Sequence, residues 1–135
     1  MSKSIEKIEG IGPSYGKKLR EAGCSTTVKL LEAGATRAGR EKIARETGIS
    51  SSIILRCVNM ADLFRIKGVA SQYAELLEAA GVDTVKELRN RNADNLAGKM
   101  KEVNKAKRLT RSVPSKNMVA AWVDLASKLP PVVTH

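Results

Sequence analysis

Histidine is almost missing from this chain: the single one, His135, is the last of 135 residues. A serine or cysteine nucleophile therefore has no internal imidazole to serve as its base. Aromatic residues make up only 3% of the sequence, too few for a single-strand binder that stacks successive bases on aromatic platforms. The two cysteines, Cys24 and Cys57, form no C-x-x-C pair. They read as reduced core or near-core residues of an intracellular protein, with a single disulfide as the alternative. No apolar run approaches the length of a membrane span. Lys3, Glu6, Lys7 and Glu9 interrupt any apolar leader at the N-terminus, so a cytoplasmic location is expected.

Acidic residues are also scarce. Fourteen Asp and Glu face twenty-four Lys and Arg, a net charge of +10. That balance favours a polyanionic partner, nucleic acid before an anionic membrane surface. A merely basic soluble protein is the plainer alternative. With 42% hydrophobic and 28% charged residues, the composition is that of a folded domain. The length suits a single domain, residues 1–135, and is short for a two-domain enzyme.

What the chain has is an internal echo. "IEGIGPSYGKKLREAGCSTTVKLLEAG" lies over "IKGVASQYAELLEAAGVDTVKELRNRN" without a gap. Ile8 meets Ile66, Gly10 meets Gly68, Tyr15 meets Tyr73, Leu19 meets Leu77, Gly23 meets Gly81, Thr26 meets Thr84 and Leu30 meets Leu88. "GISSSIILRCVNMADL" and "VPSKNMVAAWVDLASK" extend the match more weakly. Two copies of one unit are expected, residues 5–64 and 65–129, with a short tail at 130–135.

The pattern is helical throughout. Tyr15, Leu19 and Ala22 recur at i, i+4, i+7, as do Tyr73, Leu77 and Ala80. Gly23 and Gly81 stand where a left-handed C-terminal cap would end each helix. Ser25-Thr26 and Asp83-Thr84 supply the next N-caps; Ser50 or Ser51, Ser115 and Asp94 supply others. Met118, Trp122, Leu125 and Leu129 form the expected core stripe of the last helix. No alternating segment suits a strand, so the expected fold class is all-α.

"GIGPSYGKKL" fits three functional motifs. A G-x-S-x-G elbow would make Ser14 a nucleophile, but it needs a preceding strand and a histidine, and the second copy has Gln72 there. A dinucleotide loop needs a buried strand before Gly10, yet "KSIEKIEG" is too charged, and Gly12 and Gly16 become Ala70 and Ala74 in the second copy. A hairpin between two helices asks only for glycines where the chain turns sharply, an apolar anchor at Ile11, and a helix directly after it. Pro13 suits that helix's first turn. The backbone N–H groups of Gly10, Gly12, Ser14 and Tyr15 then converge on one anion, with Lys17, Lys18 and Arg20 adding positive charge.

These residues resemble the helix-hairpin-helix motif of DNA polymerases, ligases and repair nucleases, with Ile8, Gly10, Ile11, Gly12, Gly16 and Leu19 at its pattern positions. Across nearly the whole chain, the tandem arrangement around "ADLFRIKGV" resembles a bacterial family of helix-hairpin-helix proteins of unknown function. The resemblance implies a sequence-independent grip on a DNA backbone through the amides of Gly10, Gly12, Ser14 and Tyr15. It also implies a monovalent cation on the carbonyls of Glu6, Ile8 and Ile11. The second copy departs from the pattern: Ala70 and Ser71 replace Gly12 and Pro13, and Glu75 and Glu78 replace Lys17 and Arg20. There Lys67 beside Gly68 is the one compensating cation, and a structural role is expected.

The densest positive charge lies in "KMKEVNKAKRLTRSVPSK", where seven cations face Glu102 alone. On a helix, Leu96, Met100 and Val103 would be buried, leaving Lys101, Lys105 and Arg108 along one outer face able to follow phosphates. A solvated face is the plainer alternative. Arg37, Arg40 and Arg45 form a similar face offset by Glu41 and Glu46. Asn59, Asp62 and Arg65 form a polar set between the copies, expected to cap or tie. The expected function is non-enzymatic binding of DNA, mainly duplex, with no cofactor. RNA is a second polyanion that the sequence separates poorly from DNA. A protein–protein adaptor that keeps the fold without holding phosphate is the alternative.

Overall fold

The computed structural model describes residues 3–8 and 10–135, so Glu9 of the charged N-terminal segment lies outside the described residues. The fold is all-α. A short 3-10 turn, Ile5–Lys7, precedes eight helices: α1 Gly12–Glu21, α2 Thr27–Ala33, α3 Arg37–Thr47, α4 Ser51–Leu63, α5 Ser71–Ala79, α6 Val85–Leu88, α7 Ala93–Lys107 and α8 Lys116–Lys128. Extended pairing among the described residues is confined to one bridge between Ser4 and Thr26. None of the described helices is long and apolar enough to cross a membrane.

Two compact units divide the chain. One holds the described residues up to Asp62 together with Val132–His135; the other is Leu63–Pro131. In the first, α1 packs on the 3-10 turn and on α3, and α2 also packs on α3. Ile5, Ile8, Leu19, Leu30, Ile54 and Met60 are its fully buried large side chains. Each contributes about 1.5–3 kcal/mol by leaving water. In the second, α7 packs on α5 and α8, and α6 on α8. Leu63, Ile66, Leu76, Leu77, Leu88 and Met100 fill its core, and Tyr73 and Trp122 stack obliquely with ring centres 5.3 Å apart.

The local bonds of the two units repeat at the same spacing. Cys24 N–H donates to Leu19 O and Val82 N–H to Leu77 O, at 2.8 and 2.9 Å. Gly23 and Gly81, at φ +86° and +97°, carry the left-handed turn that brings those amides back onto their helices. Thr26 and Thr84 then cap α2 and α6, each accepting from the amide three residues on at 3.2 Å.

Several helix faces are rotated from the expected ones. Asn92, not Asp94, caps α7, and Asp94 lies in its first turn. The buried stripe of α7 is Leu96, Ala97, Met100 and Asn104, with Val103 at its edge. Asn104 is buried because it ties down the following loop: its Nδ2 donates to Thr110 O and its Oδ1 accepts from Thr110 N–H, at 3.1 and 2.9 Å. In α8 the buried residues are Val119, Trp122 and Ala126, whereas Met118 is 37% exposed. A hydrogen-bonding asparagine thus takes a core position that hydropathy alone would give to a neighbour.

Residues 132–135 do not hang loose. Val133 is buried, and Thr134 N–H donates to Ala35 O at 2.8 Å. Neither cysteine forms a disulfide, and both are buried. Burial, and secondarily Glu46, pushes the Cys24 thiol pKa up, which suppresses the reactive thiolate.

Candidate functional site

The expected first hairpin, the turn between the 3-10 segment and α1, is built on three buried isoleucines. Ile5 anchors the 3-10 turn, Ile8 follows it, and Ile11 closes the loop before α1. Ile8 N–H donates to Ile5 O, and Ile11 N–H to Ile8 O, at 3.2 and 3.3 Å. One of the three carbonyls assigned to a monovalent cation, that of Ile8, therefore already accepts a hydrogen bond. On either side of Ile11 the backbone turns left-handed, at Gly10 (φ +86°) and Gly12 (φ +66°). Residues with a Cβ are strained in that conformation, which explains both glycines.

The start of α1 differs chemically from most of its neighbours. Side chains of Thr26, Thr36, Thr84, Asn92 and Ser115 accept first-turn amides of α2, α3, α6, α7 and α8. Ser50 does the same for α4, accepting from Ile53 N–H at 3.4 Å. The residues at the N-caps of α1 and α5 are Ile11 and Ala70, which have no side-chain oxygen, and neither helix receives a side-chain cap. Both helices follow hairpins. Their first amides lack an intrahelical partner by geometry and, among the described residues, a side-chain partner at the N-cap, and the helix dipole makes that end positive.

Around the first hairpin, Ser14, Lys17 and Lys18 are exposed and Tyr15 is half-buried. Lys17 and Lys18 make no ion pair among the described residues. Arg20, by contrast, is not a free cation. Its Nε donates to Glu6 Oε2 at 2.9 Å, and its Nη2 donates to Glu6 Oε1 and to Ser4 Oγ. The Arg20 guanidinium, with Ser4 second, holds the Glu6 carboxyl at about 2, against an ordinary 4.5. Glu6, Gly12, Pro13, Lys17 and Arg20 line a cleft of about 450 Å³.

The sequence pattern gave no reason to select Arg56. Its Nη1 lies 2.9 Å from where a Cβ on Gly10 would stand, so a guanidinium sits against the turn. The available signal was one cation inside the apolar run of α4. Gly16 is buried under the same network, its missing Cβ leaving room for the Glu6 carboxylate.

The second hairpin keeps the anchors and loses part of the turn. Ile66 and Val69 are buried, Val69 N–H donates to Ile66 O at 3.1 Å, and Gly68 has φ +94°. Ala70, however, takes extended backbone at φ −87° where Gly12 is left-handed, and α5 begins one position later in register. Lys67 and Gly68 are exposed.

In the same unit as that hairpin, Lys101 and Lys105 are exposed on α7, together with Lys99 and Lys107. Arg108 is not part of that helical face. It forms the left-handed cap of α7 at φ +53°, its amide donating to Asn104 O at 2.7 Å. None of these cations forms an ion pair among the described residues. Arg40 departs furthest from expectation: it is 5% exposed and donates to the carbonyls of Gly34, Ala35 and Thr134. Arg65 donates to Pro130 O at 2.7 Å. Asn59 and Asp62 are both buried, and Asn59 Oδ1 has no hydrogen-bond partner among the described residues.

A family model described as a domain of unknown function, DUF4332, matches residues 9–129. The chain belongs to the DUF4332 family. The matched span of this DUF4332 protein contains both glycine turns, all eight helices and the α7 cations. Glu6 and the Val132–His135 segment lie outside it. No curated protein and no solved structure matches the chain.

Proposed function

We propose that this DUF4332 protein is a tandem helix-hairpin-helix protein that binds duplex DNA without reading its sequence. The observation that carries this proposal is the start of α1, where two left-handed glycines and an apolar N-cap leave first-turn amides without a side-chain acceptor among the described residues. Such a turn suits a phosphate oxygen, because backbone N–H groups and the helix dipole act together on one anion. Lys17 and Lys18 supply positive charge on the same helix that is unpaired among the described residues. Gly10, Ile11, Gly12, Ser14 and Tyr15 form the phosphate-facing turn in this proposal. Lys101 and Lys105, with Arg108 at the cap, form a second electrostatic contact. The repeated local bonds support a duplicated unit, and the net charge of +10 supports a polyanion as ligand.

The second hairpin has the weaker claim. Glu75 and Glu78 replace the cations of α1, and Ala70 does not reproduce the Gly12 conformation. A repeat kept for its core alone would serve a protein–protein adaptor, which is the second reading.

The deciding measurement is a salt titration of binding to a random-sequence duplex. Affinity should fall steeply as salt rises, with a log–log slope of about −0.9 for each phosphate contacted. Absence of binding at low salt would remove the proposal. Capture of one protein partner that persists at high salt would favour the adaptor.

A further inference from the structure

The positions that build the ion pair beside the first hairpin carry other residues in the second copy. Where the first unit has Glu6, Gly16 and Arg20, the second has Phe64, Ala74 and Glu78 at the equivalent positions. Both partners are accessible, with side-chain exposures of 41% for Glu6 and 46% for Arg20. They nevertheless form a closed set: Ser4 Oγ donates to Glu6 Oε1 at 2.6 Å and accepts from Arg20 Nη2 at 3.0 Å, completing a three-residue ring. Gly16 makes the arrangement sterically feasible, because a Cβ there would stand 2.7 Å from Glu6 Oε2. The pair borders the cleft that also contains Gly12, Pro13 and Lys17. A carboxylate thus occupies the guanidinium closest in sequence to the proposed phosphate turn.

We infer that Glu6 is an internal counter-ion that withholds Arg20 from phosphate, so that the grip of the first hairpin is set by competition between carboxylate and phosphate for one guanidinium. The inference rests on the DNA-binding proposal and concerns how strongly that site binds. Two physical facts support it. A guanidinium takes a phosphate through the same two-pronged, charge-assisted geometry that it uses for a carboxylate. A half-exposed pair is held only weakly against solvent, so exchange of partners requires no unfolding. Glu6 also places a negative charge in the cleft, which opposes an entering phosphate until the carboxylate moves aside.

The test compares wild type, Glu6→Gln, Arg20→Gln and the double variant on a random-sequence duplex, by fluorescence anisotropy across a salt series. Far-UV circular dichroism and urea midpoints check the fold of each. Glu6→Gln should tighten binding by up to about tenfold near 50 mM salt and steepen the log–log slope by about 0.9, the signature of one added phosphate contact. Arg20→Gln should cost little in the wild-type background, at most the few-fold effect of the freed Glu6 carboxylate, and clearly more in the Glu6→Gln background, because the gain passes through Arg20. Unchanged or weaker binding by a folded Glu6→Gln protein overturns the inference. So does an Arg20→Gln loss in the wild-type background as large as that in the Glu6→Gln background. Gly16→Ala provides a second route, displacing the carboxylate while keeping both charges, and should raise affinity in the same direction. If wild type binds and Gly12→Val abolishes binding while these variants change nothing, only the competition is wrong. If no variant binds duplex at low salt, the DNA proposal itself falls.

Discussion

Arg40 Nη2 donates to the carbonyl of Thr134 at 2.7 Å, joining residues 94 apart in sequence. The same guanidinium donates through Nη1 to Gly34 O at 2.9 Å and Ala35 O at 3.2 Å. It therefore gathers the end of α2 and the segment Val132–His135, whose Thr134 N–H returns a bond to Ala35 O. Burial, and then the neighbouring Arg37, pushes its pKa down, but an arginine remains charged in proteins. Carbonyl dipoles, with the Glu41 carboxylate as a lesser contributor, supply its counter-charge.

Replacing Arg40 with methionine keeps most of the buried stem and removes the donors. The carbonyls of Gly34, Ala35 and Thr134 then lose a charged donor, although Ala35 O keeps Thr134 N–H. The expected cost is about 2–4 kcal/mol, typical of breaking a buried network to a charged donor. Urea denaturation measures it, and a midpoint equal to wild type would show that water replaces the guanidinium without penalty. Arg40→Lys should recover only part of the loss, because an ammonium cannot span carbonyls on two segments in the same planar fork.

Gly12 tests the turn separately from packing. Its φ is +66°, yet nothing lies within 4 Å of where a Cβ would stand. Gly12→Ala therefore carries a backbone penalty and no steric one, about 1–2 kcal/mol of stability. Gly98, in α7, also has open space around it but lacks the positive φ. Gly98→Ala should accordingly stabilise by up to about 1 kcal/mol through helix propensity. Opposite signs for these two variants in thermal or urea unfolding are the expected result; equal signs would contradict the left-handed turn.

Glu6 predicts an acid dependence. Its folded-state value of about 2 lies below the ordinary 4.5. A depressed carboxyl adds stability that is complete above the unfolded value and is lost as pH falls through the folded one. The stability difference between wild type and Glu6→Gln should thus hold steady above about pH 4.5 and shrink toward pH 2. Taking the difference removes the other carboxyls common to both proteins. Because the pair is half exposed, added salt should reduce the difference as well. A difference that is flat down to pH 2.5 would mean that Arg20 does not hold this carboxylate in solution.

Much of the helical layout could be read from local pattern, because its causes are local. Leu19 and Leu77 recur in matched heptad-like positions, and Thr26 and Thr84 cap the amides three residues ahead of them. The errors at Arg40 and Asn104 arose where a polar side chain took a partner distant in sequence or outside its own helix. Arg40 resembles a solvated cation among glutamates, since nothing in its neighbourhood in sequence announces Thr134. Asn104 displaces Val103 from the core face because its amide satisfies both backbone groups of Thr110. A one-position shift turns a helix face by about 100°, enough to exchange a buried stripe for its edge. In the hairpin, the glycines and Ile11 were legible from the motif. The Glu6–Arg20 pair and the approach of Arg56 to Gly10 were not, because each joins residues from different elements.

The α7 cations allow a separation that the hairpin variants do not. Lys101 and Lys105 lie four residues apart on one exposed helix face, whereas Arg108 is held in the left-handed cap beyond the last turn. If phosphates follow the helix, Lys101→Gln and Lys105→Gln should each reduce the salt slope by about 0.9, and their effects should add. Arg108→Gln should have an equal effect only if the duplex also reaches the cap. Arg108→Gly would meanwhile relieve a positive φ and should raise stability by about 1 kcal/mol. Binding isotherms at several salt concentrations, paired with unfolding curves, distinguish these outcomes. A slope unchanged by the two lysine variants would make this face solvated and would leave the first hairpin as the whole of the proposed interface.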